Sequence, residues 1–112
     1  MKKIAVFTFM GEKMCFTHAL LNAIAMKEKN IEVKIIMEGK SVSLIEEFME
    51  SGNPLFKKIM EEGILEGVCK ACSQQLGVLA YNEKSGIALL DELKGHPSMA
   101  RYLNEGYEII TM

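Results

Sequence analysis

The sequence predicts one α/β domain over residues 1–112, with a mainly parallel sheet of four to five strands flanked by helices. Three observations carry that expectation. Apolar, β-branched runs at residues 3–9, 31–37 and 64–68 alternate with segments of helical periodicity, the order that builds a parallel sheet. A chain of 112 residues is enough for one domain around one core. A composition of 49% hydrophobic and 25% charged residues, with two prolines, is that of an ordinary globular chain without linkers or disordered stretches.

Residues 3–9 are almost wholly apolar, as in a strand buried on both faces. The start is basic and then apolar, as in a signal peptide. The apolar run is short, however, and Gly11-Glu12-Lys13 follows without a small-residue cleavage site, so a first strand is expected. A helix is expected from about Met14 to Lys29, because Phe16, Ala19, Leu20, Ala23 and Ile24 recur at helical spacing; Asn30 suits its exit. Residues 31–37 form the second strand, and 38–41 a turn. Residues 41–50 and 54–62 read as two short helices separated by Ser51-Gly52-Asn53. The third strand, 64–68, leads into Cys69-Lys70-Ala71-Cys72 and a short helix, 73–76. Further helices are expected at 85–93 and 97–104, the latter stopped by Gly106, and a final strand at 107–111. There is no internal repeat. In such sheets ligands sit outside the carboxyl ends of the strands, near a switch in strand order. Three turns belong on that side: 11–18, 38–41 and 69–72.

Cys69 and Cys72 occupy the strand-to-helix turn. Unpaired N–H groups and the helix dipole there favour a thiolate, the form that attacks sulfur and binds metal. The pair can form a disulfide, hold one edge of a metal site, or present an attacking thiolate with a neighbour to resolve it. It can also be two small buried hydrophobes. Cys15 and His18 lie three apart on the first helix and share a face. With Cys69 and Cys72 they make a Cys₃His set of the kind zinc accepts, provided the first and third strands are neighbours. Without a metal, Cys15 and His18 line the pocket of the reactive thiol, together with Glu12, Lys40 and Ser41.

Gly39-Lys40-Ser41 resembles the end of a phosphate loop, but Lys34 stands where the upstream glycine is required. Lys40 and backbone N–H groups can still meet a small anion. His96, in Gly95-His96-Pro97, has no partner nearby in sequence and reads as a surface residue. The nine methionines form no cluster, so packing is expected rather than copper binding. Glu46, Glu47, Glu61 and Glu62 read as solvated helix faces. A net charge of −2 without a basic stripe argues against nucleic acid, and no segment reaches the ~18 apolar residues of a membrane span. Three cysteines, an odd number, suit a reducing compartment, so a cytoplasmic location is expected.

The chain resembles the DsrE/DsrF-like family, which includes the TusD-type sulfur-relay proteins. The likeness lies in Lys3-Ile4-Ala5-Val6-Phe7, in His18-Ala19-Leu20-Leu21-Asn22-Ala23, and in Glu32-Val33-Lys34-Ile35-Ile36 followed by Glu38-Gly39. It is most specific at Val68-Cys69-Lys70-Ala71-Cys72-Ser73-Gln74-Gln75-Leu76-Gly77-Val78, and it closes with Gly106-Tyr107-Glu108-Ile109-Ile110. The resemblance implies flavodoxin-like layering and assembly as a homo-oligomer, a trimer or hexamer. It implies that Cys69 carries a persulfide between a sulfur donor protein and an acceptor protein. In that reading the helix start lowers the Cys69 pKa and Cys72 resolves or shields the sulfur. Two features depart from the relay pattern. Cys72 stands where relay proteins commonly have a small apolar residue, and Cys15 and His18 are not part of the relay motif. The alternatives are a zinc or iron module built from Cys15, His18, Cys69 and Cys72, and a non-catalytic oligomeric interaction protein.

Overall fold

The computed structural model describes residues 1–112. Its sheet has five parallel strands: β1 (Lys3–Thr8), β2 (Glu32–Met37), β3 (Leu65–Cys69), β4 (Leu89–Leu90) and β5 (Glu108–Thr111), in the order β4-β3-β2-β1-β5. The connections are α1 (Lys13–Glu28), a 3₁₀ segment (Gly39–Leu44) continuing into α2 (Ile45–Glu50), α3 (Pro54–Glu61), α4 (Lys70–Gln75), α5 (Leu79–Lys84) and α6 (Met99–Asn104). No helix is long and apolar enough to cross a membrane.

The period of two along each strand divides the core. Ile4, Val6, Val33, Ile35, Met37 and Val68 face Phe16 and Leu20 of α1, Phe48 of α2, and Phe56 and Ile59 of α3. Ala5, Phe7 and Ile36 face the other way, under Tyr102 of α6 and Tyr107. Burial on both faces is why β1 and the end of β2 read as unbroken apolar runs. Asn53 and Pro54 fix the start of α3: the Asn53 side chain accepts from the N–H groups of Leu55 and Phe56 at 3.0 and 3.1 Å.

On the thinly covered face one carboxylate ties α6 to the sheet. Glu66 accepts from Lys34 at 3.0 Å, Tyr102 at 2.8 Å and Arg101 at 3.3 Å. Burial raises the Glu66 pKa, but the Lys34 and Tyr102 hydrogen bonds and the charges of Lys34 and Arg101 outweigh burial and hold it below the ordinary 4.5.

Three details differ from the sequence reading. The helix expected at 85–93 does not form. Helix α5 lies earlier, Gly86 turns the chain at φ 85°, and Leu89–Leu90 pairs beside Val68 and Cys69 as β4. The segment expected as a helix from 41 begins as a 3₁₀ segment at Gly39. Finally, β1 and β3 are not neighbours, because β2 lies between them. The carboxyl ends of β1 and β3 are therefore about two strand spacings, roughly 10 Å, apart.

β4 approaches β3 closely because Gly67 has no side chain. A Cβ there would lie 2.7 Å from both the Ala88 oxygen and Leu90 Cγ. Gly67→Ala is expected to destabilise the fold by about 1–3 kcal/mol, read by urea unfolding. Glu66 predicts acid sensitivity. Its folded pKa is depressed, so its contribution is present above the unfolded value and is lost as pH falls through the folded one. The wild type should therefore lose more unfolding free energy between neutral pH and pH ~3.5 than Glu66→Gln does.

Candidate metal centre

Cys69 ends β3 and caps α4, and its sulfur accepts the Cys72 N–H at 3.3 Å. Glu38 directly follows β2. Its N–H donates to Thr8 O at 2.8 Å, and its carbonyl accepts the Ser41 hydroxyl at 2.7 Å. Those bonds fix the backbone while the largely buried side chain reaches along the carboxyl edge of the sheet. His96 arrives from the other direction. After β4 the chain turns back, and Ala71 N–H donates to Gly95 O at 2.8 Å, which pins the 91–96 loop over the start of α4.

Four donors from three chain segments thus converge. His96 Nδ1 lies 3.1 Å from Cys69 Sγ, 3.8 Å from Cys72 Sγ and 3.8 Å from Glu38 Oε1. One ligand atom from each of Glu38, Cys69, Cys72 and His96 falls within 4.8 Å of all the others. This group is able to hold a metal ion.

The protonation states follow from burial. Cys69 is fully buried, and desolvation pushes its thiol up to about 12. The Cys72 N–H lowers it, without offsetting burial and the opposing influence of Cys72 and Glu38. The thiolate expected from the helix start is therefore not the resting state: α4 has six residues, and one N–H is too little. Glu38 is also raised by burial, with His96 opposing.

The sequence-derived residues divide. Cys69 and Cys72 belong to the group. Cys15 and His18 do not: both lie on α1, after β1, with Cys15 half-buried and His18 exposed. The reason is the interposed β2. Glu12 and Lys40 are exposed at the turns after β1 and β2. Ser41 is fully buried and donates to Thr8 O and Glu38 O, so it shapes the turn rather than offering a ligand. The missing members are Glu38 and His96. The turn at 38–41 lies on the carboxyl side of the sheet, as its place after the second strand implies. Nothing in Gly95-His96-Pro97 announces that its loop folds back onto α4.

Fold and cluster define a three-layer, all-parallel α/β domain with a Glu-Cys-Cys-His group at the carboxyl ends of β2 and β3. The chain belongs to the family of the uncharacterized protein MJ0733 of Methanocaldococcus jannaschii. It is 37% identical to that protein over 98 residues, which cover 85% of this chain and 78% of the relative. An uncharacterized protein of Archaeoglobus fulgidus is 42% identical over 40 residues, covering 36% of this chain and 66% of that protein. No protein-family model matches the chain. The solved structure of BT1422, a conserved protein of unknown function from Bacteroides thetaiotaomicron, superposes with a TM-score of 0.73. The match covers 99% of this chain and 95% of that one at 20% identity, a likeness of fold alone.

The raised Cys69 thiol predicts its labelling order. A buried thiol whose pKa is raised holds little thiolate near neutral pH and is poorly reached by reagent. In metal-free protein, iodoacetamide should modify the half-buried Cys15 and Cys72 before Cys69, as read by peptide mass spectrometry.

Proposed function

We propose that the chain is a metal-binding module that holds a thiophilic divalent cation, zinc or ferrous iron, at Glu38, Cys69, Cys72 and His96. The supporting observation is that both sulfurs and the carboxylate crowd one nitrogen, His96 Nδ1. In a nucleophile–base–acid relay the carboxylate would hold the opposite ring nitrogen from the thiol. Donors gathered around a single point suit a cation instead. For ligands at 2.0–2.3 Å from zinc, the edges of a tetrahedron are about 3.3–3.8 Å. The contacts of His96 Nδ1, 3.1 and 3.8 Å, bracket that range, and the other donor pairs lie within 4.8 Å, so side-chain motions of about 1 Å would close the shell. Bound zinc would supply a rigid link among the three segments. Cys69 and Cys72 would give up thiol protons, and Glu38 would bind as carboxylate.

Metal analysis of protein purified without chelator should give about one metal per chain. Cys72→Ser and His96→Ala should each weaken the affinity by at least about a hundredfold, whereas Cys15→Ser and His18→Ala should leave it unchanged. Because binding displaces thiol protons, affinity should fall about tenfold or more for each unit the pH is lowered below neutrality. Equal losses in the α1 variants, or no stoichiometric metal, would contradict the reading.

A second reading keeps the persulfide carrier of the DsrE/DsrF-like resemblance but moves the sulfur from Cys69, which is buried, to Cys72, which is partly exposed with His96 Nδ1 3.8 Å from its sulfur. Its thiolate would attack the outer sulfur of a donor persulfide. Cys72 would become the persulfide, the donor thiolate would leave, and His96 would take the Cys72 proton. A gain of 32 Da from a sulfane donor, about one sulfur atom, that is lost in Cys72→Ala and kept in Cys15→Ser would favour this reading.

A further inference from the structure

A second place on the carboxyl side of the sheet remains unassigned. Strand order reverses at β1. The chain moves from β1 through β2 and β3 to β4 in one direction, and then crosses to β5 on the other side of β1. Ligands of open α/β sheets bind outside the carboxyl ends at such a reversal. A cavity of about 560 Å³ lies next to that reversal, between the loops that leave β1 and β2, lined by Phe9, Met10, Gly11, Glu12, Gly39 and Lys40. It is within the size range of small-molecule sites. The metal group, at β2 and β3, lies to one side of it.

The cavity is built rather than incidental. Lys40 N–H donates to Phe9 O at 3.0 Å and joins the loops after β1 and β2. A Cβ on Gly11 would sit 2.8 Å from Lys40 Cβ. One on Gly39, at φ 55°, would sit 3.0 Å from Phe9 O. Both loops therefore need glycine to come this close. Beneath them, Ser41 donates to Thr8 O and Glu38 O.

The lining specifies a ligand chemistry. Phe9 and Met10, 37% and 48% exposed, give the cavity an apolar wall that solvent reaches. Lys40 and Glu12 make no ion pair within the chain. One free ammonium beside apolar walls suits a small organic carboxylate. The single opposing acid disfavours a polyanion such as a nucleotide. We propose that this cavity binds a small, singly charged organic anion with an apolar body, its carboxylate on Lys40 and its body against Phe9 and Met10. The site is independent of the metal reading.

The test titrates the full-length protein with 3-phenylpropionate and follows backbone amide shifts by NMR; 3-phenylpropan-1-ol is the uncharged counterpart. Saturable shifts are expected at residues 9–12 and 39–40, with the alcohol binding about fivefold more weakly. Lys40→Met keeps the aliphatic stem and should weaken the acid by the same factor of about five. Glu12→Gln should tighten it by about twofold. Both residues are exposed, so both variants should fold. The proposal is overturned by equal binding of acid and alcohol, by an unchanged affinity in Lys40→Met, by shifts mapping elsewhere, or by no saturable shift up to about 10 mM.

Discussion

The pairing of β2 with β3 sets the geometry on which the candidate site depends. The register shifts between Ile35 and Ile36: Ile35 lies opposite Leu65, while Ile36 lies opposite Gly67. The extra residue is Glu66, and the bulge advances β3 by one position. Met37 then faces Val68, so Glu38 and Cys69 leave the sheet side by side. With an unbroken register, Cys69 would stand one step beyond Glu38. The displaced Glu66 side chain finds Lys34, Arg101 and Tyr102 on the opposite face, which compensates the irregularity and holds α6. One bulge thus serves both the packing of the second face and the alignment of two side chains of the candidate site.

β4 completes the arrangement with two residues. Cys69 pairs with Leu90, and the close approach at Gly67 leaves the following loop to fold back over α4 and deliver His96. The result is chemically unusual for a protein interior. Two thiols and a carboxyl group gather around one imidazole, and burial favours the neutral forms of Cys69 and Glu38. Groups that resist ionisation alone become strong ligands when a cation supplies the countercharge, because the cation replaces their protons. High thiol pKa and good metal geometry are therefore compatible, whereas a high thiol pKa works against Cys69 as a free nucleophile.

Much of the fold is legible in the sequence because local patterns dictate it. β1 and β2 announce themselves by apolar runs buried on both faces, α1 by its periodicity, and α3 by Asn53-Pro54. β4 is not legible: Leu89–Leu90 is too short to show a period, and Ile87, Leu89 and Leu90 also fit a helix. That single misreading hides the loop that carries His96. For the site, Cys69 and Cys72 follow from a local motif. Their partners follow from strand order, a non-local property, which excludes Cys15 and His18 by interposing β2 and admits Glu38. A bulge at Glu66 has no local signature in Leu65-Glu66-Gly67-Val68.

X-ray absorption at the zinc edge of zinc-loaded protein tests the proposed centre most directly, because it counts sulfur neighbours. The account predicts two sulfurs at about 2.3 Å and two lighter donors at about 2.0–2.1 Å, with the shell unchanged in Cys15→Ser. Three sulfurs, or a shell that loses one in Cys15→Ser, would contradict it, and would mean that the first turn reaches the third despite the strand between them.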